Sequence, residues 1–173
     1  MTAPLDRERV LRAFRLMADH LAAAGDRGEL LIADGAVMAI VYDVERVTRD
    51  VDGVIIQGHG PVSDAARRVA QELHLPRGWL NEGVSAYLST QLDPDTIPIF
   101  DHPNLGVMAV SPEHLLALKA RAARAQDLSD LRTLCDSLQL TGTAEVDTIV
   151  SRFFPDDPLA PRARAVIDDL FSR

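Results

Sequence analysis

The stretch between residues 30 and 56 constrains the fold most. A short apolar run, Leu30-Leu31-Ile32-Ala33, stops at Asp34-Gly35 and reads as a buried strand. Gly35 to about Tyr42 then reads as a helix, and Val51 to Ile56 as a second strand, ended by Gly58-His59-Gly60-Pro61. The second strand begins inside Asp50-Val51-Asp52. Strand side chains alternate, so both carboxylates project from one face and Val51 from the other. Two carboxylates a few ångströms apart repel unless a cation lies between them, and Mg²⁺ (or Mn²⁺) prefers such hard oxygens. The glycine turn upstream, with a helix start after it, presents backbone N–H groups that can hold a phosphate. Together these parts point to a metal–triphosphate site. The plainer alternative is a pair of solvated acids on the polar face of a half-buried strand.

A strand, a small-residue turn, a helix and then Arg46-Val47-Thr48-Arg49-Asp50-Val51-Asp52 resemble the core motif of the nucleotidyltransferase superfamily, the polymerase-beta-like fold. Within it, the chain is similar to the small bacterial group that includes the abortive-infection-type toxin nucleotidyltransferases. The resemblance covers roughly residues 28–138, its downstream half resting on Leu115-Leu116-Ala117-Leu118-Lys119-Ala120 and Asp127-Leu128-Ser129-Asp130-Leu131. It implies an α/β (α+β) fold, a small mixed sheet flanked by helices, with an all-helical C-terminal part. It also implies Mg²⁺-dependent transfer of a nucleoside monophosphate from an NTP to an acceptor hydroxyl, on RNA such as the tRNA 3′ end or on a protein. The implied setting is the toxin-like partner of a bacterial toxin–antitoxin or phage-defence system, with a cognate antitoxin.

By the same resemblance, Asp50 and Asp52 hold the metal and act in catalysis, and Lys119 faces the nucleotide as a catalytic and binding residue. Gly35, Arg46 and Thr48 contact nucleotide, with Asp127 and Arg124 in support. Arg46 can pair with phosphate or with the acids, and Thr48 can orient an aspartate; ordinary loop chemistry before a strand is the alternative for both. Asp127 reads either as a helix N-cap or as a holder of Lys119 or Arg124. The sequence departs from the family pattern twice. Asp34 stands where the family has the first of two small residues, and can instead cap the following helix. A third acid is absent from the strand 105–110, leaving Glu82 and Asp101 as the nearest candidates. These departures support a second reading, a degenerate fold that binds nucleotide or protein without turnover. A plain interaction module is the third.

The 173 residues are enough for a real core. They divide on this reading into a nucleotidyltransferase-like domain, 1–138, and a helical extension, 139–173. The net charge of −8 argues against nucleic-acid binding through overall charge, but leaves room for a local basic face. Among 18 basic residues Lys119 is the sole lysine, a compact point charge suited to a phosphate oxygen. The single cysteine, Cys135, lies in an apolar helical stripe and reads as a buried small hydrophobe. The start, Met-Thr-Ala-Pro-Leu-Asp-Arg-Glu-Arg, has no apolar leader, and the run at 30–44 is too short to span a bilayer. A cytoplasmic protein with no membrane partner is expected.

Elsewhere the 3–4 spacing of apolar residues predicts helices over 6–24, 62–74, 128–138, 144–154 and 160–171, and a short one near 82–88. Ser111-Pro112 opens another to about Ala125, with Ser111 as N-cap. Ile97–Phe100 and Leu105–Val110 read as strands about the His102-Pro103-Asn104 turn, Pro98 marking the first as an edge strand. His59 reads as a solvated turn histidine, and Trp79 as a core anchor.

Overall fold

The computed structural model describes residues 4–42 and 46–172. Met1–Ala3, part of the start read above, lie outside them. The chain is a mixed α/β protein with one five-stranded mixed sheet, and with seven α-helices among the described residues. It forms two compact units, Met1–Ala86 with Ile97–Ala109, and Tyr87–Thr96 with Val110–Arg173. The second unit thus takes in Tyr87–Thr96 together with everything from Val110 onward. No helix among the described residues is long and apolar enough to cross a membrane.

The first unit holds the sheet. Helix α1 (Arg7–Ala24) opens at Asp6, whose carboxylate accepts the Arg9 N–H at 2.8 Å, and closes at Gly25. Strand β1 (Gly28–Ala33) follows, then α2 (Asp34–Val37), which runs on as a π-helical turn over Met38–Tyr42. Strand β2 (Val51–Gln57) leads to α3 (His59–Glu72). A two-residue strand, β3 (Leu80–Asn81), a 3₁₀ turn (Gly83–Ala86), and the hairpin β4 (Ile97–His102) and β5 (Leu105–Ala109) complete it. The order is β3-β2-β1-β5-β4, with β1 antiparallel to β2 and parallel to β5, β2 parallel to β3, and β4 antiparallel to β5. As Pro98 implied, β4 is an edge strand.

Alternation along the strands gives the sheet two unlike faces. Leu30, Ile32, Val51, Leu105, Val107 and Ala109 are buried on one, and α1 and α3 pack there through Phe14, Met17, Leu21, Val62 and Val69. Leu31, Asp52, Val54 and Met108 share the other face and are half-buried. Helix α3 begins three residues earlier than the apolar spacing implies. Gly58 supplies the left-handed entry (φ 75°), where a Cβ would also stand 2.3 Å from the Arg27 carbonyl. Pro61 falls in the first turn, where its missing N–H costs nothing.

The second unit is helical: α4 (Pro112–Ala122), α5 (Leu128–Ser137), α6 (Thr143–Phe153) and α7 (Pro161–Phe171), with the segment 87–96. Ser111 caps α4, its hydroxyl accepting the His114 N–H at 3.1 Å. The segment 87–96 is fastened at His114. Asp93 Oδ2 accepts from the Ser111 N–H (2.9 Å) and from His114 Nδ1 (3.0 Å), while the Ser89 N–H donates to His114 Nε2 (3.2 Å). That pattern requires the neutral imidazole carrying its proton on Nδ1. Burial holds the His114 pKa below its usual value, partly opposed by Asp93. Cys135 is buried, and burial pushes its thiol up to about 11, so it is protonated at neutral pH as expected of a small hydrophobe.

Candidate functional site

The end of β2 that carries the acids is built from four converging pieces of the first unit. Register places Asp52 opposite Ala33, the last residue of β1, so the Asp34-Gly35 turn adjoins the carboxylate. Gly35 packs closely here: a Cβ there would stand 3.1 Å from the Thr48 hydroxyl, which would have to give way. Thr48 in turn is fixed twice. Its backbone exchanges hydrogen bonds with Leu5 (2.8 and 2.9 Å), and its hydroxyl donates to the Asp50 carbonyl at 3.0 Å. The Thr48 hydroxyl thus reaches the main chain of Asp50, not its carboxylate. Arg46 is half-buried in the same segment. Asp34 does not cap the helix. It is the first helical residue, at φ 56°, a left-handed conformation that a glycine adopts without strain.

The fourth piece is Asn81, which nothing in the sequence marks, because a two-residue strand carries no periodicity. Trp79 delivers it. The indole is fully buried, its Nε1–H donates to the Ala66 carbonyl at 2.9 Å, and its ring centroid lies 6.4 Å from that of Phe14. The Trp79 carbonyl accepts the Val51 N–H at 2.6 Å, and from this start Leu80 pairs with Val51 and Asn81 with Asp52. The Gly83 N–H donates to Asn81 Oδ1 at 2.9 Å. Since a backbone N–H can only donate, the amide nitrogen must face the other way, where it lies 3.3 Å from Asp50 Oδ2. Asn81 therefore touches one aspartate and is registered beside the other. A Cβ at Gly83 would stand 3.0 Å from Asn81 Oδ1 and 4.0 Å from Asp52 Oδ1, which places this turn beside both side chains.

Neither candidate for a third acid joins the pair. Glu82 has both oxygens engaged: Oε1 accepts the Ile55 N–H at 3.0 Å and Oε2 lies 2.7 Å from His59 Nε2. The Ile55 bond, with a smaller contribution from His59, holds its carboxyl below the usual glutamate range against the opposing effect of burial. Glu82 thus caps the edge of β2 where β3 ends. His59 is the first residue of α3 and a partner of Glu82, not a turn residue. Asp101 pairs with Gly106, which is level with Glu29 of β1, whereas Asp52 is level with Ala33. Four residues and three strand spacings separate them, about 13 Å along the strands and about 14 Å across.

The donor set fits a nucleotide-borne ion better than a resident one. Mg²⁺ is commonly held by one or two carboxylates, with substrate phosphates and water filling the remaining octahedral positions. Asp50 and Asp52 supply two such carboxylates. Among the described residues, no group of three or more His, Cys, Asp or Glu side chains can hold a metal.

Lys119 lies in the second unit and is engaged there. It is 4 % exposed, with Nζ 2.8 Å from Asp130 Oδ2 and 3.2 Å from Asp127 Oδ1. Asp127 and Asp130 are buried as well, so the three form an ion cluster between α4 and the start of α5. A buried ammonium needs such partners to offset its lost hydration. Of the two roles open to Asp127, it takes that of holding Lys119; its side chain makes no N-cap bond. Arg124 is exposed, while Arg121 pairs with Asp157 and lies 3.8 Å over the Phe154 ring. No family model, curated protein or solved structure matches the chain.

Proposed function

We propose that the chain is a nucleotidyltransferase that moves a nucleoside monophosphate from an NTP to an acceptor hydroxyl, with Asp50 and Asp52 at its centre. The observation that carries the reading is the meeting of two carboxylates, an oriented amide and a small-residue turn at one end of one sheet. A mixed sheet with Asp52 on the strand antiparallel to β1, Asp50 just before it and the glycine turn directly after β1 supports this reading.

On this reading Gly35 admits the triphosphate close to the backbone, and Arg46 supplies charge to it from the segment before β2. Thr48 holds the main chain of Asp50 and so sets the height of its carboxylate. Asn81 fixes the rotamer of that carboxylate by hydrogen bonding to Oδ2. When bound, Mg²⁺ would neutralise phosphate charge and lower the pKa of the attacking hydroxyl. Asp50 and Asp52 would hold it. Lys119 is assigned to joining α4 and α5, and the acceptor is a hydroxyl of RNA or protein.

One observation favours a second reading, a fold that binds nucleotide or a partner without turnover. Glu82 is committed elsewhere and Asp101 lies three strands away, so neither adds a third carboxylate to the pair. Incubation with each α-labelled NTP, Mg²⁺ or Mn²⁺ and total RNA separates the two, with Asp50→Ala/Asp52→Ala as control. Label entering RNA or protein with the unmodified chain alone is the result expected of the transferase. Metal-dependent NTP binding without label transfer would establish the binding fold instead.

A further inference from the structure

The outer face of α3 carries a feature that neither the fold nor the proposed centre uses. An open groove of about 870 Å³ lies between the C-terminal half of this helix and the turn that follows it. Its polar lining is Arg67, Arg68, Gln71, His74 and Arg77, with Asp64 as its one acid. In a chain of net charge −8, three guanidinium groups in one concavity are a local reversal of sign. Asp64 offsets one of the three, its carboxylate being paired with Arg67, and leaves Arg68 and Arg77.

Folding does not require these side chains. Arg67, Arg68, Gln71 and Arg77 are all exposed, and the exposed Asp64–Arg67 pair adds at most a few tenths of a kcal/mol by general measure. The apolar residues of α3, Val62, Ala65, Ala66, Val69 and Ala70, face the core and leave the opposite side to the arginines. The backbone arranges the rest. His74 adopts φ 51°, and the chain turns there so that Arg77 lines the same groove as Arg68. Residues 64 to 71 span about 10 Å of helix axis, so the groove is elongated and not a point site. Ala70 and Leu75 complete the lining, and the forked, permanently charged donors along the groove suit the oxygens of successive phosphates.

We propose that this groove binds the phosphodiester backbone of a single-stranded RNA, the acceptor strand of the transfer proposed above. The inference rests on the RNA form of that reading. Arg68 and Arg77 provide the contacts, with Arg67 reaching the strand when it leaves Asp64. The groove's lining ends at Arg77, four residues before Asn81 in the chain.

The test is fluorescence anisotropy of a labelled short oligouridylate, without NTP or metal, over a series of salt concentrations. The unmodified chain should bind, with log affinity falling linearly against log salt. Each contact on a single strand contributes about 0.7 to that slope, so Arg68→Gln/Arg77→Gln should lower it by about 1.4 and weaken low-salt binding roughly tenfold. Arg132→Gln/Arg162→Gln, which removes the same charge from α5 and α7, should leave the slope unchanged. Equal loss in both double variants would show binding through net charge alone and would overturn the proposal. Displacement of the oligomer by free ATP at equal phosphate concentration would assign the groove to nucleotides and also overturn it. Failure of the transfer reading is seen separately: Asp50→Ala/Asp52→Ala should bind the oligomer as the unmodified chain does. A chain that binds in this way but transfers no label keeps the groove and loses the reaction.

Discussion

Replacing Lys119 by methionine tests whether the sole lysine belongs to the fold or to a ligand. At 2.8 and 3.2 Å the two carboxylates attract the ammonium by roughly 5–6 kcal/mol each at an effective dielectric near 20, a gross figure that desolvation of all three groups largely cancels. The net worth of the cluster is therefore small, but the cost of breaking it from one side is not. Lys119→Met keeps most of the aliphatic volume and leaves Asp130, which is 0 % exposed, without its counter-ion. Loss of one member of a buried pair destabilises by about 3–5 kcal/mol, and for a chain of this size that is a fall in Tm of roughly 6–20 °C. Urea unfolding followed by circular dichroism measures it. Lys119→Met/Asp130→Leu, which removes the most buried carboxylate as well, should recover at least half of the loss. If Lys119→Met unfolds within about 1 kcal/mol of the unmodified chain, the ammonium is not holding α4 to α5, and its assignment to nucleotide returns.

Asn81→Ala should abolish or strongly reduce label transfer while costing only about 0.5–1.5 kcal/mol in urea, since one long hydrogen bond to Asp50 and one to Gly83 are lost; unchanged transfer would remove the amide from the site. Gly35→Val should disturb the Asp50 main chain, because its first side-chain carbon already meets the Thr48 hydroxyl at 3.1 Å, and nucleotide affinity should fall further than for Gly35→Ala. Calorimetry with a non-hydrolysable NTP analogue reads that difference. His114 is held neutral, so its folded pKa lies below its unfolded one; the stability it contributes is present above the unfolded value of 6.5 and is lost as pH falls through the folded value. Urea midpoints measured downward from pH 6.5 should therefore drop less steeply for His114→Gln.

The elements legible in the sequence were those whose residues answer to local rules. Helix α1 followed from Val10, Phe14, Met17 and Leu21 at helical spacing, α4 from Ser111-Pro112, and the edge strand from Pro98. Asp52 was legible as a residue of the second strand, which begins at Val51; Asp50 precedes that strand, and its carboxylate is met by Asn81 rather than set by strand alternation. The start of α3 was placed late because Gly58-Gly60-Pro61 reads as punctuation until the left-handed Gly58 is seen to open a helix. Asn81 was invisible for a different reason: its position depends on Trp79 finding Phe14 and Ala66, contacts between residues far apart in the chain. The same holds for Lys119. A lone lysine on a helix has the same sequence whether it faces a ligand or lies between Asp127 and Asp130, since a side chain's solvation is set by what packs around it. Composition and periodicity alone determined an α/β chain with Asp52 on its second strand; which polar groups meet the aspartates, and which are buried among partners of their own, was decided only when the strands and helices came together.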